Sequence, residues 1–318
     1  YVSPTGTGAS DGSRSKPFRS LKKALSRVSP GDTLCLGEGR YEEPLKLVQK
    51  KKLRILPVEG AAVVIDGTVE IPKAWVPDGN GVWRQKLEFE PYQLFHEDSL
   101  VYVARWPDAK FEDGSIWRMM ECMRSSDGGW DKHKNKWVGK TRFGLVHDDR
   151  FHRPETPGFR EGDSRYQVDP EITFQNQPES LAESGKDFKG CVAVLNIGHW
   201  RTWARRITDH RAGQDHFSYD TAGLPKEQIQ KFSGYHILGL AALDRPNEWW
   251  FDSDTKTIYY MPPLEVDPNS LELRGRVRNF GIDFNRCSGI EISGLHFHAS
   301  GFWLNECNDV SLRDCSFD

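Results

Sequence analysis

The segment from Asn285 to His298 is repeated, position for position, by the segment from Asn305 to Asp318. Asn285 matches Asn305 and Cys287 matches Cys307; Ile290 and Ile292 match Val310 and Leu312; Leu295 and Phe297 match Cys315 and Phe317. The matched apolar positions alternate with polar ones, which is the period of a strand and not of a helix. A fixed step of about twenty residues made of short strands marks a chain that winds in stacked coils. Such a winding needs a polar cap at each end. The echo runs to Asp318 with no cap after it. The repeat is therefore expected to continue past residue 318, with part of the working surface there.

The opening of the chain fits the same plan. Phe18, Leu21, Leu25 and Val28 share one helical face, with Pro17 suited to the first turn and Pro30-Gly31 as a stop. So short an amphipathic helix buries its stripe only by covering the open end of a stack. Alternation then begins at Thr33-Leu34-Cys35-Leu36 and continues through Leu45/Leu47, Leu53/Ile55 and Val63/Ile65 to about Ile71. Lys16-Pro17-Phe18, Pro30-Gly31-Asp32 and Gly39-Arg40-Tyr41 carry a resemblance. With them, residues 1–70 and 271–318 resemble the cap and coils of right-handed parallel β-helix proteins that act on polysaccharides. That fold hosts hydrolases, lyases, esterases and phage tailspikes, so the likeness speaks to fold more than to substrate.

Between these parts the pattern changes. Val82-Trp83-Arg84, Tyr92 to Phe95, Leu100 to Ala104 and Ile258 to Tyr260 read as short strands. Arg124 to Lys140 reads as a long surface loop, and Leu224 to Ile229 as a short connecting helix. The tract resembles the antiparallel β-barrel inserted in certain β-helix glycoside hydrolases. The expected architecture is all-β: a right-handed parallel β-helix with an N-terminal capping helix and an inserted antiparallel β-barrel or sandwich. Its parts are cap and first coils over 1–72, insertion over 73–268, and further coils over 269–318.

Stacked coils lie about 4.8 Å apart, so residues one period apart form columns. The echo sets His298 against Asp318 and His296 against Ser316. Counting back one more period sets Arg278 beside His298 and Arg276 beside His296, all on the outer face. It also aligns Glu272, Glu291 and Ser311, and sets Asp283 beside Trp303. Solvation is the ordinary fate of outward charges. An Arg, a His and an Asp in one column, however, combine an anion clamp with a proton carrier that works near neutral pH. Asp318 and His298 are the candidate catalytic residues. Arg276, Arg278, His296, Trp303 and Asp283 are the candidate substrate-binding residues. The tract His199 to His216, with two Trp among several Arg, is a further candidate for sugar stacking or a plain strand.

Net charge is -3, which gives no broad field for nucleic acid, and no apolar run is long enough to span a bilayer. Six cysteines lack metal or CxxC spacing and read as free thiols. HExxH, phosphate-loop and nucleophile-elbow motifs and zinc-ligand spacings are absent, so no metal ligands are expected, and Asp252-Ser-Asp254 reads as a hairpin turn. No cofactor is expected, and calcium only for a lyase. The leading expectation is a secreted or periplasmic glycoside hydrolase with paired carboxylates. It would act on a complex anionic polysaccharide or oligosaccharide, sulfated or containing uronic acid, and would involve neither nucleic acid nor membrane. The alternatives are a polysaccharide lyase using Arg276 or Arg278, or a glycan-binding protein without catalysis. Sugar, linkage and oligomeric state are not encoded in any motif.

Overall fold

The computed structural model describes residues 1–6, 10–108, 124–125, 128–139, 143–148, 180–198 and 201–318. The fold is all-β, and the chain divides into two compact units. The first holds residues 1–74, 87–101 and 267–318; the second holds 75–86 and 102–266. Residues 87–101, expected in the insertion, thus belong with the first unit.

Three parallel stacks form the centre of the first unit. One contains Thr33–Leu36, Lys51–Pro57, Ser288–Ser293 and Asn308–Arg313. The second contains Gly39–Tyr41, Val63–Asp66, His296–His298 and Ser316–Phe317. The third contains Leu45–Val48, Phe280–Asn285 and Gly301–Asn305. The chain visits them in one cyclic order, leaves after Val63–Asp66, and resumes on the third stack at Phe280. Ile290 then pairs with Leu53 on one side and Val310 on the other.

Alternation explains the core. Leu45, Leu47, Leu53, Ile55, Val63, Ile65, Ile282, Phe284, Ile290, Ile292 and Phe297 are buried, while their strand neighbours face outward or sideways. Each such side chain contributes roughly 1.5–3 kcal/mol through burial. The helix Leu21–Arg27 adds Leu21, Ala24 and Leu25 to this core. It starts later than Pro17 because Ser20 caps it, accepting from the Lys23 amide, and Glu43 accepts from the Lys22 amide. Phe18 instead bridges to Val2.

The count back from His296 and His298 does not hold. Their second neighbours are Val64 and Asp66, and Arg276 lies on Leu273–Arg276, antiparallel to Thr68–Glu70 and Leu94–His96. Arg278 follows that strand and is likewise outside the histidine column. Glu291 lies between Arg54 and Ser311, so Glu272 is not in its column. The reason is the excursion: the coil next to 280–298 is supplied by residues 45–66. Gly67 closes the junction. Its carbonyl accepts from the amides of Val277 and Arg278 at 3.0 and 3.1 Å, so the departing and returning strands meet there. A methyl on Gly67 would stand 2.3 Å from the Ala299 carbonyl oxygen.

In the second unit, Val192–Gly198 pairs antiparallel with Arg201–Asp209 and Ile229–Leu238 over a core including Phe188, Leu195, Phe217 and Tyr235. Glu248–Asp252, Thr257–Met261 and Val82–Lys86 form an antiparallel ribbon. Within the tract expected as a loop, Gly128–Asp131 pairs with Lys136–Gly139. Asp131 accepts from the His133 and Lys134 amides in the turn, which makes a hairpin of that charged stretch. Lys226–Gln228 is a single 3₁₀ turn. The five described cysteines are free thiols; Cys122 lies outside the described residues.

Candidate functional site

His296 and His298 leave their strand on the same side, because one residue separates them. Phe297 turns the other way, fully buried and stacked on Phe317 with centroids 4.7 Å apart. Asp318 reaches both imidazoles. Its Oδ1 lies 3.0 Å from His298 Nδ1 and its Oδ2 lies 3.2 Å from His296 Nε2. The free nitrogen of His296, Nδ1, lies 2.7 Å from Ser316 Oγ. The backbone anchors Asp318 on both sides: its amide donates to Phe297 O and its carbonyl accepts from the Ala299 amide.

His298 was expected on an open outer face, yet it is 1% exposed. The cover is Phe95 from the strand Leu94–His96, packed edge-on with ring centroids 5.0 Å apart. This cover leaves His298 Nε2 buried without a hydrogen-bond partner, 3.8 Å from Asp98 Oδ1. One imidazole therefore has a carboxylate near each ring nitrogen.

Asp98 is held in turn. Arg40 donates from Nη2 to Asp98 at 2.9 Å and from Nη1 to Asp66 at 2.7 Å. Asp66 is buried and accepts from the Thr68 amide and hydroxyl, while Arg274 Nε approaches its other oxygen at 3.3 Å. Burial alone would raise this carboxyl's pKa. The hydrogen bonds from Arg40 and Thr68 and the Arg274 charge outweigh that and hold it below the usual carboxylate range. Arg274 also pairs with Glu42.

The other candidates are elsewhere. Arg276 donates to Gln93 Oε1 at 2.7 Å and to the Arg278 carbonyl, and Arg278 donates to the carbonyls of Asp66 and Thr68. Their forks staple the chain where it leaves and rejoins the stacks. Asp283 and Trp303 are neighbours in register, as counted, but on the third stack and not on the histidine stack. Asp283 pairs with Lys46 at 2.8 Å, and the exposed Trp303 tilts against Phe280. His199 and Trp200 lie outside the described residues. Trp203 packs on the second unit's core. Asp252 serves its turn, accepting from the Asp254 amide and the Thr255 hydroxyl.

Arg40, Asp66, Phe95 and Asp98 were not found from sequence. A usable signal existed for one of them: Asp66 follows the alternating Val63 and Ile65 at the outward phase, as His298 follows Phe297.

The second unit holds a different cluster. Burial, then the charges of Asp108 and Asp244, push Glu248 up to about 8. Its Oε2 is buried without a hydrogen-bond partner. Burial and Asp244 push Asp108 up to about 6, and burial with Arg105 pushes His236 down to about 4.

Comparison with known proteins adds four likenesses. Residues 4–48 match the family described as "Protein of unknown function (DUF1565)". A stretch of 71 residues is 35% identical to the uncharacterized protein YwoF of Bacillus subtilis (strain 168), covering 21% of this chain and 15% of that protein. A solved structure named "Glycoside hydrolase" superposes with a TM-score of 0.60 at 18% identity, over 93% of this chain and 50% of its own. A structure of XylC with xylose matches with a TM-score of 0.37 at 18% identity, over 94% of this chain and 35% of its own. The chain thus spans half the length of the first solved structure and a smaller share of the other two proteins. The 0.60 likeness is one of fold.

Proposed function

We propose that the three stacks are the walls of a right-handed parallel β-helix carrying an inserted antiparallel domain. On that reading, the face built on His296, His298, Asp318 and Asp98 belongs to a secreted or periplasmic glycoside hydrolase acting on an anionic polysaccharide or oligosaccharide. The observation that carries this is the buried imidazole of His298 with Asp318 at 3.0 Å from one nitrogen and Asp98 at 3.8 Å from the other. Glycosidic cleavage takes two carboxyl groups in different protonation roles. The imidazole holds the two carboxylates apart, one at each ring nitrogen. Separated carboxyl groups, about 6.5–9.5 Å apart, are the mark of inverting pairs.

Arg40 Nη2 donates to Asp98 and holds that carboxylate in place as the group to activate a water. The leaving oxygen takes its proton from the Asp318 centre, where a carboxyl group and two imidazoles meet. The fold likeness to a solved glycoside hydrolase supports the class. Hydrolysis is preferred to elimination because Arg276 and Arg278, the bases a lyase would use, already donate to Gln93 and to backbone carbonyls.

Turnover on anionic polysaccharides tests the proposal. Asp98→Asn and Asp318→Asn should each lower kcat by about 10²–10⁴ with an unchanged urea midpoint. Products should carry new reducing ends, first formed with inverted anomeric configuration by NMR. Unsaturated ends absorbing in the ultraviolet would make the protein a lyase. Retained binding without products would make it a glycan-binding module.

A further inference from the structure

We infer that His296, His298 and Asp318 form a binding site for a divalent transition cation of the zinc type. The inference rests on donor atoms alone and stands whether or not the protein is a hydrolase. The three side chains offer one ligand atom each within 4.8 Å of one another, two imidazole nitrogens and a carboxylate oxygen. Two nitrogens and one carboxylate are a set that zinc, cobalt and ferrous iron take, with positions left open for water.

The distances fit as well as the chemistry. His298 Nδ1 and His296 Nε2 stand 3.0 and 3.2 Å from the Asp318 oxygens. Zinc with bonds of about 2.0–2.2 Å holds its ligand atoms about 3.4 Å apart, and the three donor atoms here lie within 4.8 Å of one another, so a cation draws them in. The strand His296–His298 is paired on both sides, and the Asp318 backbone is anchored through both its amide and its carbonyl. The donors are therefore set before a cation arrives.

The outer partners point the same way. A ligating histidine usually gives its other ring N–H to an oxygen, which fixes the tautomer and aims the lone pair. His296 Nδ1 faces Ser316 Oγ at 2.7 Å, and His298 Nε2 faces Asp98 at 3.8 Å. With those protons in place, both remaining lone pairs aim at the space beside Asp318. His298 Nε2 has no hydrogen-bond partner. A bound cation increases the acidity of that N–H and draws Asp98 onto it. Arg40, the nearest cation to this pair, is committed to Asp66 and Asp98.

The test uses the untagged full chain and cobalt(II) as probe, followed by visible absorption and calorimetry. One cobalt ion per chain should bind, with visible bands of nitrogen–oxygen coordination that zinc abolishes on displacement. His296→Ala and Asp318→Asn should remove the bands while keeping the circular dichroism and urea midpoint of the wild type. Asp98→Asn should weaken binding about 10–100-fold through loss of the outer carboxylate. His147, Asp215 and His216 form another grouping with ligand spacing, so His216→Ala is the control and should leave the bands unchanged. No bands and no heat with the wild type would overturn the site. So would bands that survive His296→Ala or vanish with His216→Ala. If the hydrolase reading holds, saturating zinc lowers turnover by occupying the Asp318 oxygens. Binding without a change in turnover supports the site and removes Asp318 from the hydrolysis.

Discussion

In the stacked unit, the buried carboxylate of Asp66 is surrounded by donors from Arg40, Arg274 and Thr68, and it stays ionised. In the antiparallel unit, Glu248 is nearly as buried, keeps one oxygen without a hydrogen bond, and holds its proton up to about 8. The contrast is between charge stabilised by partners and charge removed by protonation, the two ways a protein tolerates an acid away from water. The partnered acid belongs to a network that continues through Arg40 to Asp98 and the histidine centre. The network holds the charges around that centre in place, as the proposed site requires.

Replacing one side of each arrangement should separate the two. Asp66→Ala leaves Arg40 and Arg274 facing a buried gap and should cost about 3–5 kcal/mol of stability, read from urea unfolding. The wild-type contribution of Asp66 comes from a depressed folded pKa. It is present above the unfolded value near 3.9 and disappears as pH falls through the folded value. Glu248 has the opposite sign. Its folded value near 8 lies above the unfolded value, so the second unit should lose stability as pH rises from about 4 to about 8. Glu248→Gln should flatten that slope and gain on the order of 2 kcal/mol at pH 8, measured as unfolding midpoints across the range. A slope unchanged by that substitution would end the contrast. The smallest effect is expected for Arg286→Ala. Its pair with Glu306 is exposed on both sides, and its loss should change stability by less than about 0.5 kcal/mol.

The path from sequence to site differs among its members. The echo alone sets His298 against Asp318 and His296 against Ser316, since Phe297 pairs with Phe317, while the second contact of Asp318, to His296, is visible only in the structure. Arg276 and Arg278 were misplaced because the same count was carried across the point where the chain leaves the stacks. Phe95 on the strand Leu94–His96 buries His298, and Asp98 in the turn after that strand flanks it; no period connects either to residue 298. The hairpin at 128–139 was hidden by its charge, because a turn made by Asp131 does not need an apolar run.

Alternation and the repeat are properties of neighbouring residues, and they alone determined that this chain forms short strands with Leu, Ile and Phe turned inward. They also determined which side chains share a face within the last coils. Tertiary structure decided which strand lies beside those coils, how Asp66 and Asp98 reach His298, and that an outward histidine is buried. Strand pairing joins whichever edges are free when the chain comes back, and that depends on the folded path between residues 67 and 277, which a local pattern does not contain.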